Sequence, residues 1–544
     1  MHSASRLTSV DSSFDPASGL LVALNELLRA VDGRVVLLRP LTACFESHCD
    51  DIDLLLTESQ REQLLRAAFA HCTQGRIHCR IQQGSPAKAQ LILWSLDCAQ
   101  KLMIDLWTSF DQLPRRRHSC IPADRLLSTL TASVPDAQIH TNEKIPALRQ
   151  LPPDIDLCLL IQHHAAKRRK ITATAVRERI ARACARLVSW TPQHTCQQIS
   201  HDLLAALRAV ADELPRSIMI TPKFIAFSED YLLLRLANVP SNRGLSVLEP
   251  RRRRAPMTEL RKTVLRHRPA LAVIGSDGAG KSSVVSALAM LNPEATSVVA
   301  KKFYRRSLTY QFISGLMKRL RGADRGMFDD RSAPLVTLRA TAAMWINMCF
   351  PGRQGSRPRA SVTVENCVEH CHKWIDGGPE LEGASPKPRG YLRSAQSSPG
   401  HPTLQSTSDS RLVPDHELNK LPRTTILDRS IASFLITDRK SDLPILARGA
   451  TWIEALIPAV TSVLLTLPHA ELTRRKQEMS APGHDTYQRM LFEQALRQQP
   501  SDLVLLANLP SVQAAATAIC ELLRDEGRSD ESSTETAGNR KAVA

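Results

Sequence analysis

Apolar residues recur at helical spacing at Leu20, Leu21, Leu24, Leu27 and Leu28, and the run Val35-Val36-Leu37-Leu38 behind them predicts a strand. A second strand is expected from Ile52, and further strands over Ala89 to Trp94 and Leu102 to Leu106, so residues 1–150 read as an α+β unit. The texture changes after Pro152-Pro153. From Asp156 to Leu214 helix formers dominate, with apolar residues three and four apart, which predicts a helical subdomain over 151–245. Four consecutive arginines, Arg251 to Arg254, fall in a polar stretch that reads as a solvated basic linker over 246–268.

Beyond that linker, Leu271-Ala272-Val273-Ile274 has the pattern of a short buried strand that runs through a glycine loop into a helix over Ser282 to Met290. Helical texture continues over Leu308 to Leu320 and Ala333 to Phe350. Residues 352–421 are rich in Pro, Gly and Ser without periodicity and read as a disordered insertion. Order is expected to return with strand Thr425 to Leu427, helix Thr451 to Leu456, strand Val463 to Leu465, helix Ala470 to Glu478, strand Leu503 to Leu506 and helix Val512 to Leu523. This alternation, over 269–526, predicts an α/β fold with a parallel sheet and helices on both faces. Residues 527–544 read as a polar tail.

Composition sharpens this picture. A chain of 544 residues exceeds one ordinary core, and 43% apolar with 23% charged residues supports globular domains. Lys and Arg number 71 against 54 Asp and Glu, a formal charge of +17, which favours phosphate-bearing partners. Aromatic residues are 4% and are not interleaved with the basic patches, which argues against single-stranded nucleic acid as the partner. The 13 cysteines lack paired spacing, and Met1 to Phe14 lacks a signal pattern, so a reducing, cytoplasmic setting is expected. The apolar stretch Ala450 to Leu467 is broken by Glu454 and Pro458 and falls short of a membrane span. Oligomeric state is left open.

The strongest chemical signal is Gly275-Ser276-Asp277-Gly278-Ala279-Gly280-Lys281-Ser282, which satisfies G-x-x-x-x-G-K-[ST] and is followed by Ser283. Glycines let successive backbone N–H groups turn inward, where they and the helix N-terminus stabilise phosphate anions. Lys281 is expected to reach the β- and γ-phosphates of ATP, and Ser282 to ligate Mg²⁺. The loop resembles that of thymidylate kinases, where Gly-x-Asp-Gly-x-Gly-Lys-[ST] is characteristic. The resemblance implies a P-loop fold and places Asp277 against the acceptor rather than ATP. It continues at Ile426-Leu427-Asp428-Arg429-Ser430, which resembles the family's strand-ending Asp-Arg-Tyr, with Ser430 in place of Tyr. There Asp428 suits Mg²⁺ and Arg429 suits phosphoryl oxygens. Arg474-Arg475-Lys476 is similar to the basic lid of nucleoside-monophosphate kinases, where guanidinium groups stabilise charge on the moving phosphoryl group. The cluster Lys301 to Arg306 is a weaker candidate for acceptor phosphate.

In the N-terminal unit, Asp51 and Asp53 open a strand whose alternation puts both on one face, about 7 Å apart. Asp105 lies on the later strand, and the three carboxylates could jointly hold Mg²⁺. Here the chain resembles nucleotidyltransferases of the polymerase-beta type, although Arg39-Pro40-Leu41 stands where that family has Gly-Ser. Taken together, the chain is similar to thymidylate-kinase-like domains of bacterial surface-polysaccharide loci that carry a nucleotidyltransferase-like module in front.

Cys367, His370, Cys371 and His372 lack the separated pairs of a structural zinc site, and His163-His164 reads as packed or capping. The expected function is transfer of the γ-phosphoryl group of MgATP to a nucleoside monophosphate or a phosphorylated sugar-like acceptor. Nucleotidyl transfer by the N-terminal unit and ATP-binding regulation without turnover are the alternatives.

Overall fold

The computed structural model describes residues 16–32, 35–38, 52–83, 85–133, 141–142, 145–167, 174–190, 201–217, 219–251, 270–276, 278–291, 296–299, 424–428, 460–475, 480–497 and 501–524. The expected helices over 308–320, 333–350 and 451–456, the insertion 352–421, the Cys367 to His372 cluster, Lys301 to Arg306, Arg252 to Arg254 and the tail lie outside them.

The fold is mixed α/β. In chain order its first strands are β1 (Val35–Leu37), β2 (Ile52–Leu55), β3 (His78–Gln83), β4 (Lys88–Trp94), β5 (Lys101–Trp107), β6 (Ser109–Phe110) and β7 (Ser119–Pro122). There follow β8 (Thr141–Asn142), β9 (Ile145–Gln150), β10 (Glu249–Pro250), β11 (Ala270–Gly275), β12 (Thr296–Val299), β13 (Thr424–Asp428), β14 (Thr461–Leu465) and β15 (Ser501–Leu506). The helices are α1 (Pro16–Arg29), α2 (Glu58–Thr73), α3 (Ala123–Ser133), α4 (Pro153–Ala166), α5 (Thr174–Ser189), α6 (His201–Glu213), α7 (Pro222–Ala237), α8 (Lys281–Leu291), α9 (His469–Arg475), α10 (Ala481–Arg497) and α11 (Val512–Arg524).

Twelve strands form one sheet in the order β12-β13-β11-β14-β15-β3-β4-β5-β2-β1-β9-β8, and β10-β7-β6 form a small second one. The first five strands are all parallel, as alternation of strand and helix dictates. The sheet does not end at β15. Its far side pairs antiparallel with β3, Leu503 opposite Ile81 and Leu505 opposite Cys79, so both halves of the chain share one sheet. From β3 the strands continue as the antiparallel run β3-β4-β5, which then meets β2 in parallel.

Alternation of side chains divides the core. On one face, α1, α2 and α10 cover Ile81, Leu91, Ile104, Ile274, Leu464 and Leu505, and Phe69 of α2 stacks on Phe492 of α10 at 4.7 Å. The opposite face carries two cores: α8 and α11 against Val273, Val463 and Val504, and the helical group α3 to α7 against Val36, Leu55 and Trp107. Helices therefore lie on both faces of the parallel strands.

Local chemistry explains the helix starts. Thr57 and Gln60 form a capping box at α2, with the Thr57 hydroxyl accepting from the Gln60 N–H and Gln60 Oε1 accepting from the Thr57 N–H. Helix α4 is buried on every side from Pro153 to His164, and several of its polar side chains take partners on neighbouring helices. Asp154 accepts from the Tyr231 hydroxyl and Arg235, Asp156 pairs with Arg186, and Gln162 donates to Ser228. Among the described residues no helix is long and apolar enough to cross a membrane.

Candidate functional site

The glycine loop leaves the carboxyl end of β11 and enters α8 at Lys281. Strand β11 lies between β13 and β14, so the chain departs to opposite sides of it; in an open parallel sheet that reversal leaves a crevice beyond the strand ends. Gly275 sits in this crevice at φ +153°, and a Cβ there would lie 3.1 Å from the Leu465 carbonyl oxygen, too close for any other residue without displacement. Gly278 and Gly280 have φ of +91° and +81°, backbone conformations that glycine adopts at little cost.

The Lys281 side chain folds back over the loop. Its ammonium donates to the Gly275 carbonyl at 2.9 Å and the Ser276 carbonyl at 2.6 Å, and the residue is buried. Ser276 is buried as well, and its hydroxyl has no hydrogen-bond partner among the described residues, a polar group available to a ligand. Ser282 and Ser283 follow in the first turn of α8, Ser282 exposed. Asp277 lies outside the described residues. Asp428 occupies the last position of β13, in register with Val273 and so two residues short of the loop on the neighbouring strand. Arg429 and Ser430 lie outside the described residues.

The two arginines expected in a basic lid diverge. Both pair with Glu471 of the same helix, Arg474 at 2.7 Å and Arg475 at 2.9 Å. Burial raises the Glu471 carboxyl, but the hydrogen bonds and charges of the two arginines outweigh it and hold its pKa below the usual carboxylate value. Arg474 is 76% exposed, whereas Arg475 turns inward, 17% exposed. One Arg475 nitrogen donates to the Asn508 side-chain Oδ1 at 3.4 Å, and another lies 4.0 Å from where a Cβ on Gly280 would stand. Lys476 lies outside the described residues. Between Arg475, Gly280 and the segment Ala507 to Leu509 runs a narrow slot of about 30 Å³.

That segment is fixed from the other half of the chain. His78 of β3 is fully buried and its Nδ1 accepts from the Ala507 N–H at 3.0 Å. Its Nε2 lies 3.2 Å from the Leu96 carbonyl, which requires a proton on Nε2. Nothing in the sequence around His78 signals this role, because its partner lies 429 positions away.

In the N-terminal half, β2 and β5 run parallel with Asp53 directly beside Asp105. Each is 2% exposed. The Trp107 indole N–H donates to Asp53 Oδ1 at 2.8 Å, Gln90 donates to Asp105 Oδ1 at 3.3 Å, and the Lys88 ammonium pairs with Asp105 Oδ2. Asp51 lies outside the described residues, and among these no group of three His, Cys, Asp or Glu is placed to hold a metal ion. Lys88, Gln90 and Trp107 were legible in principle: Lys88 pairs across from Trp107 and Gln90 from Asp105, on one face of the sheet. His163 is buried and packs edge-on against His164 with ring centroids 5.3 Å apart, as expected of a packed histidine.

A larger cavity of about 1020 Å³ opens beyond the carboxyl end of β5, between Ser59, Thr108, Asp111, Arg117 and His118. Of the residues singled out from the sequence it contains Arg251, first of the arginine run, which spans its wall to Asp111 at 2.7 Å. Size alone does not make it the functional site; the positive-φ glycines and the buried Lys281 are at the loop.

No family model matches the chain, and no curated protein matches it significantly.

Proposed function

We propose that the C-terminal half is a P-loop phosphotransferase of the thymidylate-kinase type, which moves the γ-phosphoryl group of MgATP to a nucleoside monophosphate or a phosphorylated sugar-like acceptor. The observation that carries this reading is Lys281, a buried cation held only 2.9 and 2.6 Å from the loop carbonyls, at the mouth of a loop whose glycines adopt positive φ. An ammonium in such a place is electrostatically ready for an anion, since exchange of carbonyl for phosphate oxygens strengthens its hydrogen bonds.

The residues fit the substrate and its metal. Loop N–H groups and the first turn of α8 would bind phosphate oxygens, and the Ser276 hydroxyl, without a partner among the described residues, would add a donor. Ser282 and Asp428 would hold Mg²⁺, which when bound screens the charge of the phosphate chain. Lys281 and Arg475 stabilise negative charge as the bond from phosphorus to the β,γ-bridging oxygen breaks and one to an acceptor oxygen forms. Arg429 and Arg474 are proposed to clamp acceptor phosphate once both substrates are bound, and Asp277 to orient the acceptor. The slot beside Arg475 and Asn508 is proposed as the approach for the base of the donor nucleotide.

The N-terminal half, with Asp53 and Asp105 in register, is proposed as a nucleotidyltransferase-like module. Calorimetric titration of MgATP tests the primary reading: the wild type is expected to bind with a single site and Lys281→Ala to lose at least tenfold in affinity, about 1.4 kcal/mol. Equal affinity in both proteins would remove the loop from the account.

A further inference from the structure

Two carboxylates on neighbouring strands, 2% exposed each, cannot both stay charged without a compensating cation. Asp53 and Asp105 are such a pair, and a metal-dependent nucleotidyltransferase would place its ions against them. The side chains around them do not fit that arrangement. At least three of the four carboxylate oxygens already accept from protein groups: Asp53 Oδ1 from Trp107, Asp105 Oδ1 from Gln90 and Asp105 Oδ2 from Lys88.

Trp107 joins the two aspartates through one ring. Its N–H edge serves Asp53, while the Lys88 ammonium stands over its face at 4.9 Å from the centroid, where the ring quadrupole attracts a cation. Lys88 is therefore held from two sides, by a carboxylate and by an aromatic face. It is also anchored at the backbone, where its N–H donates to the Ser85 hydroxyl at 3.1 Å. Its position opposite Trp107 across β4 and β5 follows from the strand register and does not depend on a loop.

We infer that Lys88 is the built-in cation of this site: its ammonium takes the place of a divalent ion, closes the acidic pair to metal, and leaves the N-terminal module without metal-dependent nucleotidyl transfer. The module then serves the protein through its sheet, whose β3 edge continues the parallel strands of the kinase half.

The test uses the nucleotide-free full-length chain titrated with Mn²⁺ and followed by electron paramagnetic resonance of the free ion. Asp105→Asn serves as the reference for Mn²⁺ bound elsewhere on the surface. Wild type is expected to match Asp105→Asn, whereas Lys88→Met, checked for fold by circular dichroism, gains an additional Mn²⁺ that disappears in Lys88→Met/Asp105→Asn. Lys88→Arg, which keeps the charge, gains none. A Mn²⁺ ion held by wild type and lost in Asp105→Asn overturns the inference, and so does a folded Lys88→Met that gains no ion. Should Lys88→Met not fold, comparison of wild type with Asp105→Asn still decides, since the inference requires them to be equal.

Discussion

Arg80 and Asp502 are 422 positions apart and form a two-pronged ion pair, Nε to Oδ1 at 2.9 Å and Nη2 to Oδ2 at 2.8 Å. Arg80 is 1% exposed, and its remaining nitrogen donates to the Leu522 carbonyl. Thr461 adds a hydroxyl to the same carboxylate. The pair lies on the β3 and β15 junction that makes one sheet of two halves, so it ties β15, two strands from the one that enters the glycine loop, to the N-terminal unit.

Removal of one member leaves a buried charge uncompensated, which typically costs about 3–5 kcal/mol. Arg80→Met is expected to lower stability by that order in denaturant unfolding. The double variant Arg80→Met/Asp502→Leu is expected to recover part of the loss, because no charge is then stranded. A cost below about 1 kcal/mol for the single change, the range of exposed pairs, would show that the junction is solvated.

His78 gives the same junction a pH dependence. Burial is the main influence and lowers its pKa below the ordinary value; the Leu96 carbonyl and Asp97 oppose this without cancelling it. A histidine with a depressed folded pKa is protonated more readily when unfolded. Its contribution to stability is therefore full above the ordinary histidine pKa of about 6.5 and is lost as pH falls below it. His71 and His484 are also lowered by burial and act in the same direction. We predict that His78→Leu flattens the decline in melting temperature below about pH 6.5 and weakens MgATP binding, because the Ala507 N–H is left without its acceptor. An unchanged slope would contradict the role assigned to its Nδ1.

Arg474 and Arg475, proposed as lid arginines, separate function from solvation. Arg475→Ala is expected to lower kcat/KM for MgATP by roughly 10²–10³-fold, the usual loss when one donor to developing charge is removed. Arg474→Ala, which loses an exposed pair with Glu471, is expected to leave the melting temperature unchanged and to affect acceptor KM more than ATP KM. Steady-state kinetics with both substrates varied distinguishes these outcomes, and equal losses of kcat/KM for MgATP in the two variants would contradict the geometry.

Much of the C-terminal half was legible because its signals are local. The apolar run of β11, the glycine spacing and Lys281 fall within a dozen residues, and strand, turn and helix each impose their own residue types there. Alternation likewise placed Asp53 and Asp105 on strands. Strand β3, His78-Cys-Arg-Ile-Gln-Gln83, was not expected, since a buried arginine reads as surface until its partner at 502 is known. Helix α10 was also missed: its apolar contacts Leu491 and Phe492 come late, after the polar turns from Gly483 to Arg489. Helix α4, buried all round, shows little amphipathic contrast, and its polar partners lie on α5 and α7.

The most direct test is ADP release from MgATP by wild type and Lys281→Ala, against a panel of nucleoside monophosphates and sugar phosphates. The account predicts release that depends on one class of acceptor and that is abolished in the variant. MgATP binding without release on any acceptor would contradict it, and would make the loop a regulatory nucleotide site.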